Sequence, residues 1–364
     1  MITPAAHTIL LNPGPVNVSP RVAQALLRGD LCHREQEFST LQSRVRELLC
    51  QAFAPRGDYT AVLLAGSGTA ALEAAVASSL HPQRKMLVIN NGVYGARMGQ
   101  MASIHGFEVV ELTFPWTSPP DLAQIDRTLR QDPAIEVVSL VHHETTTGLL
   151  NPVGPIGEIV RQHGRVLLVD SISGLGGEEI DLAAAGIGLC VGTANKCIQG
   201  LPGVSFVLVK HTEMQRIQDF SPRTLYFHLP MLYAHQQRES TPFTPAIQVM
   251  YALDEALQEL LDEGVGQRIV RYRTAAHLLR DGFESLGLKC LLPSDLRSNT
   301  ITSLELPAGF TYDALHDALK SRGYVIYAGQ GDLAARVFRV ANMGHLTVEQ
   351  FQGFLSALTE VLTT

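Results

Sequence analysis

The chain has 364 residues, 46% hydrophobic and 17% charged, with a net charge of −7. Such a composition supports a core large enough for two domains, and lysines and arginines scattered without a basic run argue against a nucleic-acid or acidic-membrane partner. Five cysteines, an odd number without CxxC spacing, read as reduced thiols rather than a disulfide framework. The N-terminus, MITPAAHTILLNPGP, has no basic n-region and meets two prolines before any long apolar run, so no leader is expected in it. With no window of roughly 18 apolar residues, the expected location is the cytoplasm.

Seven short apolar runs come first, at Ala61–Leu64, Met86–Ile89, Val109–Leu112, Val137–Val141, Val166–Val169, Leu189–Gly192 and Val204–Val209. They are continuously apolar rather than alternating, which predicts a mostly parallel sheet covered on both faces. Helical patterns lie between them, including Leu72, Ala75, Val76, Ser79 and Leu80 after GSGT, and Val153–His163. The alternation predicts a doubly wound α/β domain. Two long helices follow, Ile247–Leu261 and Val265–Leu286, broken around Glu263-Gly264. Strands at Lys289–Leu292, Asn299–Leu304, Tyr324–Tyr327 and Val337–Val340, with helices at Tyr312–Ser321 and Thr347–Leu362, complete a smaller α/β domain. The expected division is an N-terminal segment 1–20 packing near the active site and small domain, a large domain 21–250, and a small domain 251–364.

In a doubly wound sheet, ligands bind beyond the carboxyl ends of the strands. GSGTAALE (Gly66–Glu73) opens a helix there, so its first amides can face an anion; a simple glycine turn with a Ser or Thr cap fits the loop equally well. Asp170 ends the run VLLVD, where a carboxylate is costly unless paired. One strand later, Lys196 stands alone in GTANKCIQGLPG between apolar runs. A strand-end Asp followed by a solitary Lys fits a pyridoxal phosphate site: the Lys forms the Schiff base and the Asp keeps the ring nitrogen protonated. In HHETTTG (His142–Gly148) adjacent histidines should point to opposite faces, so no metal site is expected; Glu144 and Thr145 are expected to face a ligand. Tyr94, flanked by Val93 and Gly95 in NNGVYGARM, suits stacking on a planar group. Arg339, in the strand VFRVA, reads either as an edge residue or as a bidentate clamp for a carboxylate or phosphonate.

Taken together, LLNPGPVNVS, GSGTAALEA, NNGVYGARM, HHETTTGLLNPV, VDSISGLGG, ANKCIQGLPG and FRVANMG span nearly the whole chain. The chain resembles the class V aminotransferases of fold type I, which are pyridoxal 5'-phosphate enzymes. Within them it is most similar to those that pass the amino group of 2-aminoethylphosphonate to pyruvate, giving phosphonoacetaldehyde and L-alanine. That resemblance implies that Lys196 and Asp170 are catalytic. It also implies that Ser67, Gly68 and Thr69 hold the cofactor phosphate, Tyr94 stacks on the ring, and Thr145 and Asn195 border it. Arg339, Asn12 and Gly14 would meet the substrate. Thr241 and Thr244, in STPFTPAIQ, would contact the partner's cofactor in a homodimer with shared active sites. The alternatives are an alanine–glyoxylate or serine–pyruvate type aminotransferase, and a pyridoxal phosphate lyase or desulfurase, which would need a nucleophilic cysteine on a mobile loop. A relative without cofactor fits poorly with Lys196, Asp170 and the GSGT loop together.

Overall fold

The computed structural model describes residues 8–363. The seven apolar runs form one sheet: β1 (Tyr59–Ala65), β2 (Lys85–Asn90), β3 (Glu108–Thr113), β4 (Ile135–Val141), β5 (Val166–Asp170), β6 (Ile187–Thr193) and β7 (Val204–Lys210). Their order across the sheet is β1-β7-β6-β5-β4-β2-β3. β7 runs antiparallel to both its neighbours, and every other pair is parallel. Six strands therefore finish at one edge. β6 is buried along its whole length, which is why it reads as an unbroken apolar run. The edge strand β3 instead exposes Glu108, Glu111 and Thr113, charge and polarity that keep an open edge from pairing with another chain.

Helix α1 (Gln36–Phe53) covers one part of the sheet, and α2 (Gly68–Ser79) lies against β6 and β7. α2 is buried on nearly every side, and its alanines allow that close approach. The helix Val153–Gln162 packs tightly on the turn before β6: a Cβ at Gly157 would stand 2.0 Å from the Ala185 carbonyl oxygen. Gly157→Ala is therefore expected to destabilise the protein by about 1–3 kcal/mol through overpacking, read as a lowered melting temperature.

Helix α4, as we number Ile247–Glu263 after α3 (Val93–Ile104), packs on α1, and its Leu253, Ala256, Leu257 and Leu260 join the core of the large sheet. The helix ends at Gly264 (φ 86°), and Val265 beyond it still packs on the same core. An amphipathic pattern shows that a helix has a buried face but not which core receives it. Helix α5 (Val265–Ser285) then contributes Leu279 and Phe283 to the small-domain core with Phe338 and Phe354.

The small domain holds an antiparallel sheet of β8 (Ile301–Glu305), β9 (Tyr327–Ala328) and β10 (Val337–Ala341), ordered β8-β10-β9. The strand expected at 289–292 is only an isolated bridge, Cys290 to Leu304; Pro293, without an N–H, ends the pairing. The run expected at 324–327 divides. Tyr324–Val325 pairs in parallel with Ile9–Leu10, while Tyr327 and Ala328 pair with β10. The N-terminal segment, from residue 8 on, is thereby attached to the small domain, with Leu11 fully buried in its core; residues 1–7, on which the expectation about a leader bears, lie outside the described residues. Among the described residues no helix is long and apolar enough to cross a membrane.

Candidate active site

The strand ends converge on a cavity of about 190 Å³ lined by Ser67, Gly68, Thr69, Tyr94, Thr145, Asp170, Asn195 and Lys196. Eight of the residues anticipated from the sequence thus share one wall-to-wall space. Arg97, His143, Ile172 and Ser173 also line it, and they were not anticipated there.

Asp170 ends β5 with 3% of its surface exposed. Its Oδ1 accepts the Ile172 amide at 2.9 Å, which orients the carboxylate. Burial pushes its pKa up to about 7; the Ile172 hydrogen bond opposes the shift and nearby Glu144 adds to it. Lys196 sits in the turn after β6, and burial draws its amine down to about 8. Cys197 and Asp170 resist that shift, while the charge of Arg339 reinforces it. The amine donates a hydrogen bond to the carbonyl of Pro13. Burial thus brings the carboxyl and the amine to within about one pH unit of each other, each nearer its uncharged form than it would be in water.

The α2 N-terminus faces the same space. Ser67 occupies its N-cap but makes no side-chain cap bond, so hydroxyl and leading amides remain for an anion. The loop lies tightly in place, since a Cβ at Gly68 would come within 2.9 Å of the Ile172 side chain.

The HHETTTG loop shows the expected divergence of its histidines. His142 turns away and its Nδ1 meets Ser171 Oγ at 3.0 Å. His143 faces the cavity, with Nδ1 3.2 Å from the Ser173 carbonyl. A carbonyl only accepts, so Nδ1 carries the proton and Nε2 is left as a buried acceptor without a partner. Burial drives this imidazole down to about 3, so it stays neutral.

Glu144 corrects an expectation. Rather than lining the cavity, its carboxylate lies under the start of α3 and accepts bonds from the amides of Tyr94 (3.3 Å) and Thr146 (3.0 Å) and from Thr146 Oγ1 (2.6 Å). An anion at a helix N-terminus satisfies orphan amides, and here it sets the position of Tyr94. A Cβ at Gly92 would come within 2.3 Å of Glu144 Cδ, so only glycine leaves room for this bond set. The Arg97 guanidinium stands 4.8 Å over the Tyr94 ring.

Arg339, on β10, is 3% exposed and so is no edge residue. Its Nε donates to the Ala328 carbonyl (2.8 Å), and its Nη1 donates to the Thr145 carbonyl (2.7 Å) and to Gln330 Oε1 (3.2 Å). Both two-nitrogen forks of the guanidinium are therefore interrupted, and the simple bidentate clamp is not what the fold builds. Asn12 and Gly14 lie on the N-terminal segment, and Gly14 stands beside Lys196. Asn12 Nδ2 donates to the Pro15 carbonyl while its Oδ1 is buried without a partner. Gly14 has φ +95°, and a Cβ there would stand 2.6 Å from Lys196 Cδ. Gly14→Ala should therefore displace the lysine and lower turnover by roughly 10²-fold, with a much smaller change in melting temperature; steady-state kinetics and a thermal melt together check this. Thr241 and Thr244 are not brought to this cavity within the chain. They line a separate, more apolar one with Tyr226, Phe243 and Met250.

Residues 22–352 match the family described as Aminotransferase class-V. The chain is 39% identical over 359 residues to the 2-aminoethylphosphonate–pyruvate transaminase of Syntrophobacter fumaroxidans, covering 97% of this chain and 96% of that one. It is 36% identical over 363 residues to the protein of the same name from Vibrio vulnificus, covering 97% of each. Its fold superposes on a solved alanine–glyoxylate aminotransferase from Nostoc sp. with a TM-score of 0.94 at 28% identity, over 100% of this chain and 97% of that one. The α/β architecture is that of the fold type I aminotransferases, and the chain belongs to the class V aminotransferase family.

Proposed function

We propose that the protein is a pyridoxal 5'-phosphate-dependent transaminase that moves the amino group of 2-aminoethylphosphonate to pyruvate, yielding phosphonoacetaldehyde and L-alanine. The observation that carries the chemistry is that Lys196 and Asp170 line one cavity at the α2 N-terminus. The donor set fits the cofactor: uncapped amides and Ser67 and Thr69 hydroxyls for a phosphate, a buried carboxylate for a ring nitrogen, and a buried amine to hold the group covalently. When bound, pyridoxal phosphate supplies an electron-withdrawing ring that takes up the electron pair left when the donor's C–H bond breaks. Asp170 would keep the ring nitrogen protonated, and its burial makes that ion pair strong. Lys196, once released, would act as base and then acid, carrying one proton between the two carbons on either side of the transferred nitrogen; a pKa of about 8 suits both directions. Tyr94 would lie against the ring, with Thr145 and Asn195 at its border. Arg339 would hold the anionic end common to the phosphonate and the keto acid.

The full-length likeness to proteins named 2-aminoethylphosphonate–pyruvate transaminase supports the choice of amine. A homodimer, with Thr241 and Thr244 reaching the partner's cofactor phosphate, is the assembly we infer; their place in a cavity apart from Lys196 supports it. Free cysteines throughout the chain support a cytoplasmic location. The desulfurase reading lacks a thiol: no cysteine lines the cavity, and burial pushes Cys197, the neighbour of Lys196, up to about 12. Incubation of purified protein with 2-aminoethylphosphonate and pyruvate should produce alanine. Activity with alanine or serine and glyoxylate, but none with the phosphonate, would move the assignment to the alanine–glyoxylate or serine–pyruvate type.

A further inference from the structure

We infer that His143 is a further cofactor-binding residue, whose Nε2 accepts a hydrogen bond from the ring hydroxyl of pyridoxal phosphate; this rests on the cofactor reading above. The two nitrogens of its imidazole carry the inference. His143 lines the cavity of Lys196 and Asp170 and is itself only 2% exposed. Its Nδ1 hydrogen goes to the Ser173 carbonyl at 3.2 Å, with Thr300 Oγ1 3.5 Å from the same nitrogen. Moving the proton to Nε2 would turn the Nδ1 lone pair on that carbonyl, so the tautomer is fixed. Nε2 is left as a buried acceptor with no partner among the described residues. Buried polar atoms are nearly always bonded, because an orphan forfeits the bond it would make to water. An orphan acceptor in the wall of a ligand cavity calls for a donor on the ligand.

Which donor follows from what the neighbours already claim. The ring nitrogen's hydrogen belongs to Asp170, and the phosphate oxygens are acceptors for the amides at the α2 N-terminus. The Lys196 amine has its own acceptor in the Pro13 carbonyl. The ring hydroxyl remains. His143 and Glu144 form a short strand, so side chains alternate there and His143 shares its side with Thr145. The two line the cavity while Glu144, between them, turns under α3. His143 thereby joins Thr145 at the border of the ring. Burial holds the imidazole far below its ordinary range, and the charges of Lys196 and Arg280 push the same way, so Nε2 stays an acceptor at every working pH.

The test measures binding of pyridoxamine phosphate, which forms no covalent bond to Lys196, to the cofactor-free chain by calorimetry. Its 3-deoxy analogue, with hydrogen in place of the ring hydroxyl, is the control. Wild type should bind the hydroxylated ligand about tenfold more tightly than the analogue. His143→Asn keeps a donor for the Ser173 carbonyl but withdraws the acceptor. It should weaken the hydroxylated ligand about tenfold and leave the analogue within about twofold. His143→Gln returns an acceptor near the position of Nε2 and should keep the wild-type preference to within about threefold. Retained binding of the analogue shows that the variants are folded. An Asn variant that binds the hydroxylated ligand as wild type does, or loses both ligands equally, overturns the inference and leaves the cofactor reading standing. A Gln variant that behaves as the Asn variant does overturns it too. Wild type that binds neither ligand sinks the cofactor reading, and the role of His143 with it.

Discussion

Replacing Lys196 by alanine is expected to lower amino transfer by about 10⁴-fold or more, since one side chain provides both covalent attachment and proton transfer. Each role needs a neutral amine, and burial with Arg339 nearby already biases Lys196 that way. Single-turnover kinetics with the preloaded variant isolate the proton-transfer loss; a rate near wild type there would remove Lys196 from catalysis. The same residue makes a stability prediction for the cofactor-free chain. Its pKa falls from the ordinary 10.5 to about 8 on folding, so between those values the unfolded chain binds the extra proton. Stability should rise with pH across that window, and Lys196→Met should remove the slope.

Asp170→Asn should cost about 10²- to 10³-fold in turnover, because an amide cannot hold a ring nitrogen in its protonated form. Its effect on the cofactor-free fold runs the other way. With a pKa raised from 3.8 to about 7, the folded chain holds a proton that the unfolded chain has lost. The stabilisation is full below about 4 and is lost as pH rises through 7, where the buried carboxylate ionises. Asn carries no such burden and can still accept the Ile172 amide. The variant should therefore be more stable than wild type at pH 8 by roughly 2–4 kcal/mol, measurable by melting both without cofactor. A variant both active and unchanged in stability would show that Asp170 faces neither the ring nor a dry core.

The sheet was legible because β4 to β7 are buried on both faces, and burial of that kind leaves an unbroken apolar run. Asp170 and Lys196 were legible for the opposite reason: a charge at the end of such a run is expensive, so its presence demands a use. Arg97 left a faint signal, since it sits three positions after Tyr94 and helical neighbours at that spacing share a face. Glu144 was expected to face a ligand, but the amides of α3, invisible as a target in sequence, claim it first. His143 was weighed only as a metal ligand, and the neutral acceptor it presents depends on the Ser173 carbonyl.

The bond from Lys196 to the Pro13 carbonyl has a consequence for the order in which the protein is made. Pro13 is held in place because Ile9 and Leu10 pair with Tyr324 and Val325, and because the Ala341 amide donates to the Leu11 carbonyl. The reactive amine is therefore hemmed in by the beginning of the chain only after its end has been synthesised. A nascent polypeptide stopped before residue 324 would display Lys196 without that restraint, open to stray aldehydes. Closing the longest loop in the fold is also the act that shields the lysine.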